Sequence, residues 1–338
     1  MKIQENFSLK NYNTFGIQAR ARYFLEISSK EDLKEALSLE GYPELFILSG
    51  GSNMLLTRDL NRLVLFINLK GKALIEENDA EVVLRVMAGE NWHDLVLWTL
   101  EKGYGGLQNM ALIPGNTGTA PIQNIGAYGV ELKDVFVGCE AMEIQTGECR
   151  YFTKKECRFG YRDSFFKREG KGKYIITSVD LLLSKKEHNI TIGYAPLKAE
   201  LSRQGIHAPD ISDIASAVIA IRSRKLPDPK ELGNSGSFFK NPVIPESDFQ
   251  KLKKAHPDLP SYALENNTHK IPAAWLIDQS GLKGKRFGDT GVHKNQALVL
   301  VNYGSASGED ILNLARRVQS EVKERFGILL EPEVNIID

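Results

Sequence analysis

The run from Ile113 to Gly129, called the uncharged loop below, constrains the fold of this chain more than any other segment. It holds four glycines, two prolines and several amide and hydroxyl side chains, and it has no charged residue. Its apolar residues follow neither the helical nor the strand period, which predicts a long loop. Loops of more than about 12 residues inside a compact domain usually have a function. Uncharged donors beside flat apolar groups favour a ring-shaped ligand with a diphosphate over a metal ion.

A second glycine-rich loop, Ser49-Gly50-Gly51-Ser52-Asn53, follows a predicted apolar strand and is called the short glycine loop below. Its two glycines let backbone N–H groups approach an anion, and the serine and asparagine that follow add side-chain donors. The same residues are also ordinary turn chemistry, which is the favoured interpretation when this loop is taken alone.

Elsewhere the apolar pattern changes repeatedly between short helices and short strands. Because hairpins and long loops interrupt any regular β-α-β alternation, the pattern predicts the α+β class and not a doubly wound sheet. Helices are predicted at 29–39, 91–101, 212–225, 248–255, 272–281 and 311–326, strands at 45–48, 63–67, 82–87, 174–183, 297–301 and 329–337, and a hairpin at 140–152.

Composition excludes several classes of protein. The 338 residues suggest about two domains, and 43 basic against 43 acidic residues argue against a nucleic-acid or anionic-membrane binder without excluding a local cationic pocket. The three cysteines form no CxxC motif, so we expect no disulfide scaffold, no metal site and a reducing cytoplasm. No apolar run approaches about 18 residues, and we expect a soluble protein without a signal peptide.

Two segments carry candidate cations for an anionic ligand. Arg162 lies between Tyr161 and Asp163, where its guanidinium could clamp a carboxylate through two parallel N–H bonds. From this segment alone a surface pair of Arg162 with Asp163 is favoured instead. Lys225 and Lys230 flank the proline-rich end of a predicted helix, where rigid prolines would hold them for phosphate binding. Cations also favour helix C-termini, which is the structural alternative.

Ser237 and Glu333 are candidates for proton chemistry. The segment from Gly233 to Pro242 places Ser237 between glycine and two phenylalanines, and the six histidines are scattered, so a proton donor is favoured over an acyl-transfer nucleophile. Strand alternation predicts that Glu331 and Glu333 share one face of the last strand, for which a solvated edge is the ordinary interpretation.

Taken in order, the segments IPGNTGTAPIQNIGAYG, CRFGYRDS, KLPDP, GSFFKNP, AWLIDQSGLKG and LEPEV resemble the UDP-N-acetylenolpyruvoylglucosamine reductase family over nearly the whole chain. The resemblance implies a vanillyl-alcohol-oxidase-type (PCMH-type) FAD-binding domain of two subdomains and a C-terminal α+β substrate-binding domain. The implied boundaries are 1–70 with 328–338 for the first FAD subdomain, 71–226 for the second and 227–327 for the substrate domain. The segment 190–201 implies the longer subtype, which clamps the diphosphate with a tyrosine of an extra loop.

The resemblance also implies site residues. Those that would bind FAD are Gly50, Gly51, Ser52, Asn53, Pro114, Gly115, Thr119, Gln123, Asn124, Ile125, Gly126 and Arg222. Those that would bind the UDP-sugar are Tyr161, Tyr194, Lys225, Asn241, Tyr262, Lys270 and Gln296. Those that would act in catalysis are Arg162, Ser237 and Glu333.

The family's reaction passes a hydride from NADPH through N5 of FAD to the enolpyruvyl group of UDP-N-acetylglucosamine enolpyruvate, which gives UDP-N-acetylmuramate for peptidoglycan. By this resemblance, Arg162 and Glu333 hold the substrate carboxylate, and Ser237 delivers the proton. Neither loop has a histidine or cysteine that could attach the flavin, so we expect non-covalent FAD. Two alternatives stay open, namely another FAD oxidoreductase of this fold and a UDP-sugar-binding regulator without redox chemistry. The presence of all three catalytic candidates argues against the regulator.

Overall fold

The computed structural model describes residues 2–264 and 266–338, and these divide into two compact units. Unit 1 comprises residues 2–7, Ala21–Gly50 and Asn61–Arg222, and unit 2 comprises Ser8–Arg20, Gly51–Leu60 and Ser223–Asp338. Antiparallel sheets and separate helices occur in both units, so the predicted α+β class is confirmed.

The elements are numbered along the chain. The strands are β1 (Gln4–Ser8), β2 (Arg20–Ile27), β3 (Leu45–Leu48), β4 (Met54–Leu56), β5 (Leu60–Ile67), β6 (Lys72–Glu77), β7 (Glu81–Met87), β8 (Gly126–Ala127), β9 (Val130–Glu131), β10 (Phe136–Glu143), β11 (Cys149–Thr153), β12 (Tyr174–Ser184), β13 (Val243–Pro245), β14 (Tyr262–Leu264), β15 (Thr268–Lys270), β16 (Arg286–Phe287), β17 (Thr290–Val292), β18 (Leu300–Asn302) and β19 (Asn335–Ile337). The α-helices are α1 (Lys30–Leu37), α2 (Trp92–Glu101), α3 (Lys154–Cys157), α4 (Ala195–Arg203), α5 (Ile211–Lys225), α6 (Glu246–Ala255), α7 (Ala273–Gln279) and α8 (Gly308–Phe326).

Unit 1 is built on a four-stranded sheet in the order β1-β2-β5-β3 and a five-stranded antiparallel sheet in the order β11-β10-β12-β7-β6. One face of the five-stranded sheet packs against α2, α5 and the uncharged loop in a single apolar cluster. Trp92, Val179 and Val218 are buried members from three of these elements. Because this cluster includes Ala120 and Ile125, the apolar residues of the uncharged loop anchor it to the core.

Helix α2 begins where its sequence predicts. The side chain of Asn91 accepts a hydrogen bond from Asp94 N, which satisfies one of the free N–H groups of the first turn. The helix ends at Glu101, and Gly103 takes a positive φ of 70° just beyond it. A cap of this kind stabilises a helix by about 1 kcal/mol.

Unit 2 combines short sheets with the long helix α8. The sheets have the orders β13-β15-β14 and β16-β17-β18, and β19 pairs in parallel with β4. Ser307 and Asp310 form a complete capping box at the start of α8, and Gly327 ends the helix with a left-handed φ of 69°. Its apolar stripe, which includes Leu314 and Val318, is buried.

The predicted terminal strand at 329–337 is wrong in its length, since only Asn335–Ile337 forms β19. Pro332 has no N–H for a ladder, and the segment before β19 makes only an isolated bridge between Pro332 and Phe239. Glu331 is exposed and Glu333 is half-buried. The predicted strand at 297–301 is shifted, because the structure places β18 at Leu300–Asn302.

Several elements of the structure were not predicted from the sequence. Strands β1, β2, β4 and β6 and helix α4 belong to this group. All six residues of β6 are exposed, so neither face of the strand is buried and alternation of apolar and polar residues is not required there. None of the helices formed by residues 2–264 and 266–338 is both long and apolar enough to cross a bilayer.

Candidate active site

The part of the short glycine loop that belongs to unit 1, Ser49 and Gly50, meets the uncharged loop backbone to backbone. A Cβ atom added at Gly50 would lie 2.8 Å from the Cα of Gly115, closer than real Cβ atoms approach. Gly50 therefore tolerates no larger side chain without displacing the uncharged loop. Ser49 Oγ, beside this contact, is buried and has no hydrogen-bond partner. The two loops thus pack directly on each other at this point. The unpartnered Ser49 Oγ beside the contact is an atom to which a bound ligand could hydrogen-bond.

Asn124 is the buried centre of the uncharged loop. Its side chain is fully buried, and its φ of 45° lies in the left-handed region that asparagine tolerates better than most residues. Its Nδ2 donates to Glu131 Oε2 at 3.1 Å and to the Gly160 carbonyl at 3.0 Å, and its Oδ1 accepts from Lys133 N at 3.0 Å. Both amide hydrogens are thus engaged within the protein, so the Asn124 side chain holds the loop in place.

Arg162 lies against the same loop. Its φ is 53°, and its guanidinium donates to the Gly126 carbonyl at 2.6 Å and to the Asn124 carbonyl at 3.4 Å. The alternative of an Arg162 pair with Asp163 is not what the structure shows, because the Asp163 carboxylate pairs with Arg168 at 3.0 Å. Both carbonyl oxygens are uncharged acceptors, so these two bonds position the guanidinium without neutralising it.

The segment that carries Arg162 is attached to the uncharged loop at a further point. Ser164 is fully buried, and its hydroxyl donates to the Ile122 carbonyl at 2.7 Å. Together with the Asn124 bond to Gly160, this fixes both ends of the turn that presents Arg162. The position of Arg162 therefore depends on side-chain hydrogen bonds to loop carbonyls.

Arg222, near the end of α5, is a second cation of unit 1, and it interacts with the Tyr128 hydroxyl. The buried Arg222 Nε has no hydrogen-bond partner. Burial lowers the pKa of Arg222, the neighbouring Tyr128 hydroxyl opposes this, and the charge of Arg162 adds to the lowering. Burial likewise raises the pKa of Tyr128. The ring of Tyr194 packs edge-on against Tyr128, with centroids 5.4 Å apart.

These features of unit 1 fit an anionic dinucleotide such as FAD. The close approach of Gly50 to Gly115 leaves backbone exposed to a ligand, and the buried Ser49 Oγ and Arg222 Nε supply unsatisfied donors. Thr119 Oγ1 is occupied in part, since it donates to the Asn116 carbonyl at 2.8 Å.

Unit 2 brings Ser237 and Glu333 onto neighbouring extended segments. Glu333 N donates to the Phe238 carbonyl at 2.8 Å, and Phe238 N donates to the Leu298 carbonyl at 2.8 Å. An isolated bridge also joins Ser237 to Val299. The Ser237 segment is therefore held on both sides by main-chain bonds, and the rings of Phe238 and Phe239 beside it are buried.

The turn before Ser237 is fixed by Asn234. This residue is buried, its Oδ1 accepts from Gly236 N at 2.9 Å, and its Nδ2 donates to the carbonyls of Leu232 and Pro227. Gly236 has a φ of 68°, which a residue with a Cβ adopts only with strain. The short glycine loop contributes here as well, since Asn53 Nδ2 donates to the Glu333 carbonyl at 3.5 Å.

The residues predicted to bind the UDP-sugar are placed as follows. Tyr161 is 64% exposed, Tyr194 48% and Tyr262 61%. The Lys270 ammonium lies over the Tyr262 ring at 5.6 Å, on the β14–β15 hairpin. Exposed aromatic rings of this kind suit stacking with a base or a sugar.

The other three of these residues are fixed to helix ends and turns. Asn241 Oδ1 accepts from Ala273 N at 2.9 Å and so caps α7. Lys225 is the exposed last residue of α5. The Gln296 carbonyl accepts from Val299 N at 3.0 Å, next to the bridge that holds Ser237.

Two residues of this region were not identified from the sequence. Tyr128 lies within the uncharged loop, but nothing in the pattern distinguished it from its neighbours. His93 Nδ1 accepts from Leu112 N at 3.1 Å, just before the uncharged loop. The sequence feature that could have indicated His93 is its position at the start of a predicted helix that follows a predicted strand.

The chain is similar to known flavoenzyme sequences along its whole length. Residues 228–337 match the family model "UDP-N-acetylenolpyruvoylglucosamine reductase, C-terminal domain", and residues 21–152 match the "FAD binding domain" model. The UDP-N-acetylenolpyruvoylglucosamine reductase of Flavobacterium johnsoniae is 57% identical over 100% of both chains. That of Pseudomonas aeruginosa PAO1 is 47% identical over 99% of both. The crystal structure of the Thermus caldophilus reductase covers 100% of both chains, with 26% identity and a TM-score of 0.71.

Proposed function

Because the chain belongs to the UDP-N-acetylenolpyruvoylglucosamine reductase family, we propose that its two glycine-rich loops bind FAD and that Arg162, Ser237 and Glu333 act on the substrate. The chain is an NADPH-dependent flavin oxidoreductase of peptidoglycan precursor synthesis. It reduces the enolpyruvyl group of UDP-N-acetylglucosamine enolpyruvate to give UDP-N-acetylmuramate. The meeting of Gly50 with Gly115 is the observation that carries the loop assignment.

The FAD residues are proposed from both loops and from the end of α5. The glycines offer backbone N–H groups to the diphosphate, and Arg222 adds a buried positive charge. The full set is Gly50, Gly51, Ser52, Asn53, Pro114, Gly115, Thr119, Gln123, Asn124, Ile125, Gly126 and Arg222. Asn124 acts in this set through the loop backbone, because its amide hydrogens are engaged by Glu131 and Gly160. Non-covalent FAD follows from the lack of histidine and cysteine in either loop.

Bound FAD supplies the hydride that NADPH provides. The chain's own groups must then stabilise the negative charge that develops on the substrate. Hydride addition at the terminal vinyl carbon moves an electron pair toward the substrate carboxylate, so a fixed cation lowers the barrier. Arg162 serves this purpose, since its guanidinium is positioned by the carbonyls of two residues of the uncharged loop. Glu333 is proposed to hold the same carboxylate together with Arg162.

Ser237 completes the reaction by giving its hydroxyl proton to the carbon next to the one that received the hydride. One C–H bond forms there as the Ser237 O–H bond breaks, and the hydroxyl is restored by a proton from solvent. Main-chain bonds on both sides of the Ser237 segment fix the backbone from which this hydroxyl projects.

The UDP moiety is proposed to contact Tyr161, Tyr194, Lys225, Asn241, Tyr262, Lys270 and Gln296. Exposed aromatic rings and a lysine on the β14–β15 hairpin support this. Tyr194 immediately precedes α4 and packs against Tyr128, which supports assignment to the subtype with the extra tyrosine loop.

Three further proposals concern the domain boundaries, the cellular location and the partners of the protein. The parallel pairing of β19 with β4 supports a first FAD subdomain of 1–70 with 328–338, followed by 71–226 and a substrate domain of 227–327. A cytoplasmic location is proposed because NADPH and nucleotide sugars are cytoplasmic metabolites of bacteria and Cys139, Cys149 and Cys157 are unpaired. Equal numbers of basic and acidic residues support the proposal that neither nucleic acid nor membranes are partners.

A spectroscopic assay tests the proposal. The purified protein should be yellow, NADPH should bleach it under anaerobic conditions, and UDP-N-acetylglucosamine enolpyruvate should restore the colour. Oxygen alone should restore it far more slowly. A protein that recovers its colour equally well with oxygen and without the sugar would instead be another flavin oxidoreductase of this fold.

A further inference from the structure

The segment 88–93, which follows β7 and contains the start of α2, supports the first half of the uncharged loop. Gly118 N donates to the Ala88 carbonyl at 2.9 Å, Thr117 N donates to the Glu90 carbonyl at 2.8 Å, and Trp92 N donates to the Gly115 carbonyl at 3.0 Å. These main-chain bonds fix residues 115–118, where the uncharged loop meets the short glycine loop.

Two side chains of the same segment hold the residues before the uncharged loop. Trp92 Nε1 donates to the Met110 carbonyl at 3.1 Å, and His93 Nδ1 accepts from Leu112 N at 3.1 Å. Leu112 has a φ of 60°, a left-handed conformation that a leucine does not adopt without support. Ile113 precedes a proline and is thereby restricted to extended conformations. The direction in which the chain enters the uncharged loop is therefore set at Leu112, and His93 is the side chain bonded to it.

His93 is the titratable member of these contacts. Its Nδ1 accepts the Leu112 hydrogen only when that nitrogen carries no proton, so the ring must be neutral with its proton on Nε2. Two charged groups act on the ring, namely Asp94 of its own helix and Arg222 of α5. Burial lowers the pKa of His93, the positive charge of Arg222 adds to this, and Asp94 opposes it. The structure thus favours the neutral ring that the hydrogen bond needs.

We propose that His93 is a positioning residue for the cofactor: its neutral ring holds Leu112 in the left-handed conformation that sets the uncharged loop for FAD. The inference rests on the proposed function, because it assumes that this loop binds FAD. His93 acts through Leu112 and is assigned no contact with FAD or substrate.

A pH dependence of FAD retention follows from this. Protonation of His93 removes the acceptor for Leu112 N, so the hydrogen bond that holds Leu112 is lost. The FAD-bound protein therefore binds this proton less readily than the FAD-free protein. FAD affinity is full well above the lowered pKa that His93 has in the FAD-free protein and falls as the pH drops through that pKa, by at most one proton for each FAD released.

The experiment compares FAD release from the wild-type holoenzyme with that from two variants. In His93→Asn, the Oδ1 atom replaces Nδ1 as an acceptor but does not titrate, whereas His93→Leu has no acceptor. The His188→Asn variant is the matched control, since the His188 ring of unit 1 contacts Ser184 Oγ instead. The free flavin fluorescence of diluted holoenzyme gives the FAD dissociation constant between about pH 5.5 and pH 8.

At the alkaline end, His93→Leu should release FAD with a dissociation constant about tenfold above that of the wild type, because a partly buried N–H loses its acceptor. His93→Asn should match the wild type there. At the acidic end the FAD affinity of the wild type and of the His188 control should fall toward that of His93→Leu. The FAD affinity of His93→Asn should not fall.

Equal FAD affinity of the wild type and His93→Leu would overturn the inference and leave the proposed function intact. A wild type whose pH profile is as flat as that of His93→Asn would also overturn it. If His93→Leu fails to fold, the comparison of the wild type with His93→Asn decides the matter. A wild-type protein that holds no FAD at any pH would overturn the proposed function together with the inference.

Discussion

The two regions that carry the catalytic candidates are built in opposite ways. In unit 1, Arg162 is positioned by side-chain hydrogen bonds to the carbonyls of Asn124 and Gly126, and its own backbone is left-handed. In unit 2, Ser237 belongs to an extended segment that is bonded through its main chain to residues on both sides. A cation with a long flexible side chain needs partners to fix its head, whereas a serine hydroxyl lies one bond from Cβ and is fixed once the backbone is fixed.

This difference determines how each region should respond to substitution. Side-chain networks fail when one member is removed, because the remaining partners lose their geometry. Main-chain pairing is insensitive to most side-chain changes, so only the reacting side chain itself should matter there. The predictions below separate these two cases.

The largest effect is expected for Ser237→Ala. Removal of a general acid slows proton transfer about 10²–10⁴-fold, so reoxidation of the reduced holoenzyme by the UDP-sugar should slow by that factor. Reduction by NADPH should keep its wild-type rate, and stopped-flow absorbance of the flavin measures both. Ser235→Ala is the matched control, because the Ser235 hydroxyl donates to the Met54 carbonyl and is buried. Equal slowing of both half-reactions in Ser237→Ala would remove this residue from the proton-donor role.

Arg162→Lys should have the next largest effect. A lysine keeps the charge but loses the planar pair of N–H donors, so kcat/KM for the UDP-sugar should fall about 100-fold. The control Arg168→Lys alters the partly exposed pair with Asp163 and the bonds of Arg168 to the Ser164 and Arg158 carbonyls, and it should change kcat/KM by less than about threefold. An equal loss of kcat/KM in Arg162→Lys and Arg168→Lys would contradict the proposal that Arg162 binds the substrate carboxylate.

Asn124→Ala should destabilise the protein and weaken the sugar half-reaction together. The variant loses two buried hydrogen-bond donations and places alanine at a positive φ, which together should lower the free energy of unfolding by about 2–4 kcal/mol. Asn124→Gly loses the same bonds but tolerates the backbone, so it should recover about 1 kcal/mol of the loss without recovering activity. Urea unfolding monitored by fluorescence measures the first quantity. An alanine variant as stable as the wild type would contradict the assigned network.

The smallest effect is expected for Ser307→Ala in unit 2. Loss of the α8 cap should lower the free energy of unfolding by about 1 kcal/mol and leave both half-reactions unchanged. Ser305→Ala, two positions earlier, has no part in the capping box and serves as the control. A selective loss of the sugar half-reaction in Ser307→Ala would show that stability and catalysis in unit 2 are not separable.

Sequence patterns predicted the elements whose ends carry chemical markers. Asn91 and Ser307 are both N-caps in the structure, and Gly327 ends α8 as expected. The hairpin predicted at 140–152 is formed by β10 and β11, and Gly147 takes a positive φ in its turn. These features depend on residues close together in the chain, which is why a single sequence reveals them.

Features that depend on distant partners could not be predicted. The length of the last strand is limited by Pro332 and by the segment around Phe239, far away in the sequence. The choice of Arg162 between Asp163 and the carbonyls of the uncharged loop is likewise decided by tertiary contacts. The local pattern favoured the adjacent carboxylate, and the structure instead pairs that carboxylate with Arg168. His93 was missed for the same reason, because its role depends on Leu112, 19 residues later.

A double-mutant cycle on Asn124 and Arg162 tests the central comparison most directly. The rate of the sugar half-reaction is measured for the wild type, Asn124→Gly, Arg162→Lys and the double variant. If Asn124 acts by positioning Arg162, the double variant should be about as slow as Arg162→Lys alone, with a coupling of at least about 1 kcal/mol. Effects that add to within about 0.5 kcal/mol would contradict the account, because the two residues would then act independently.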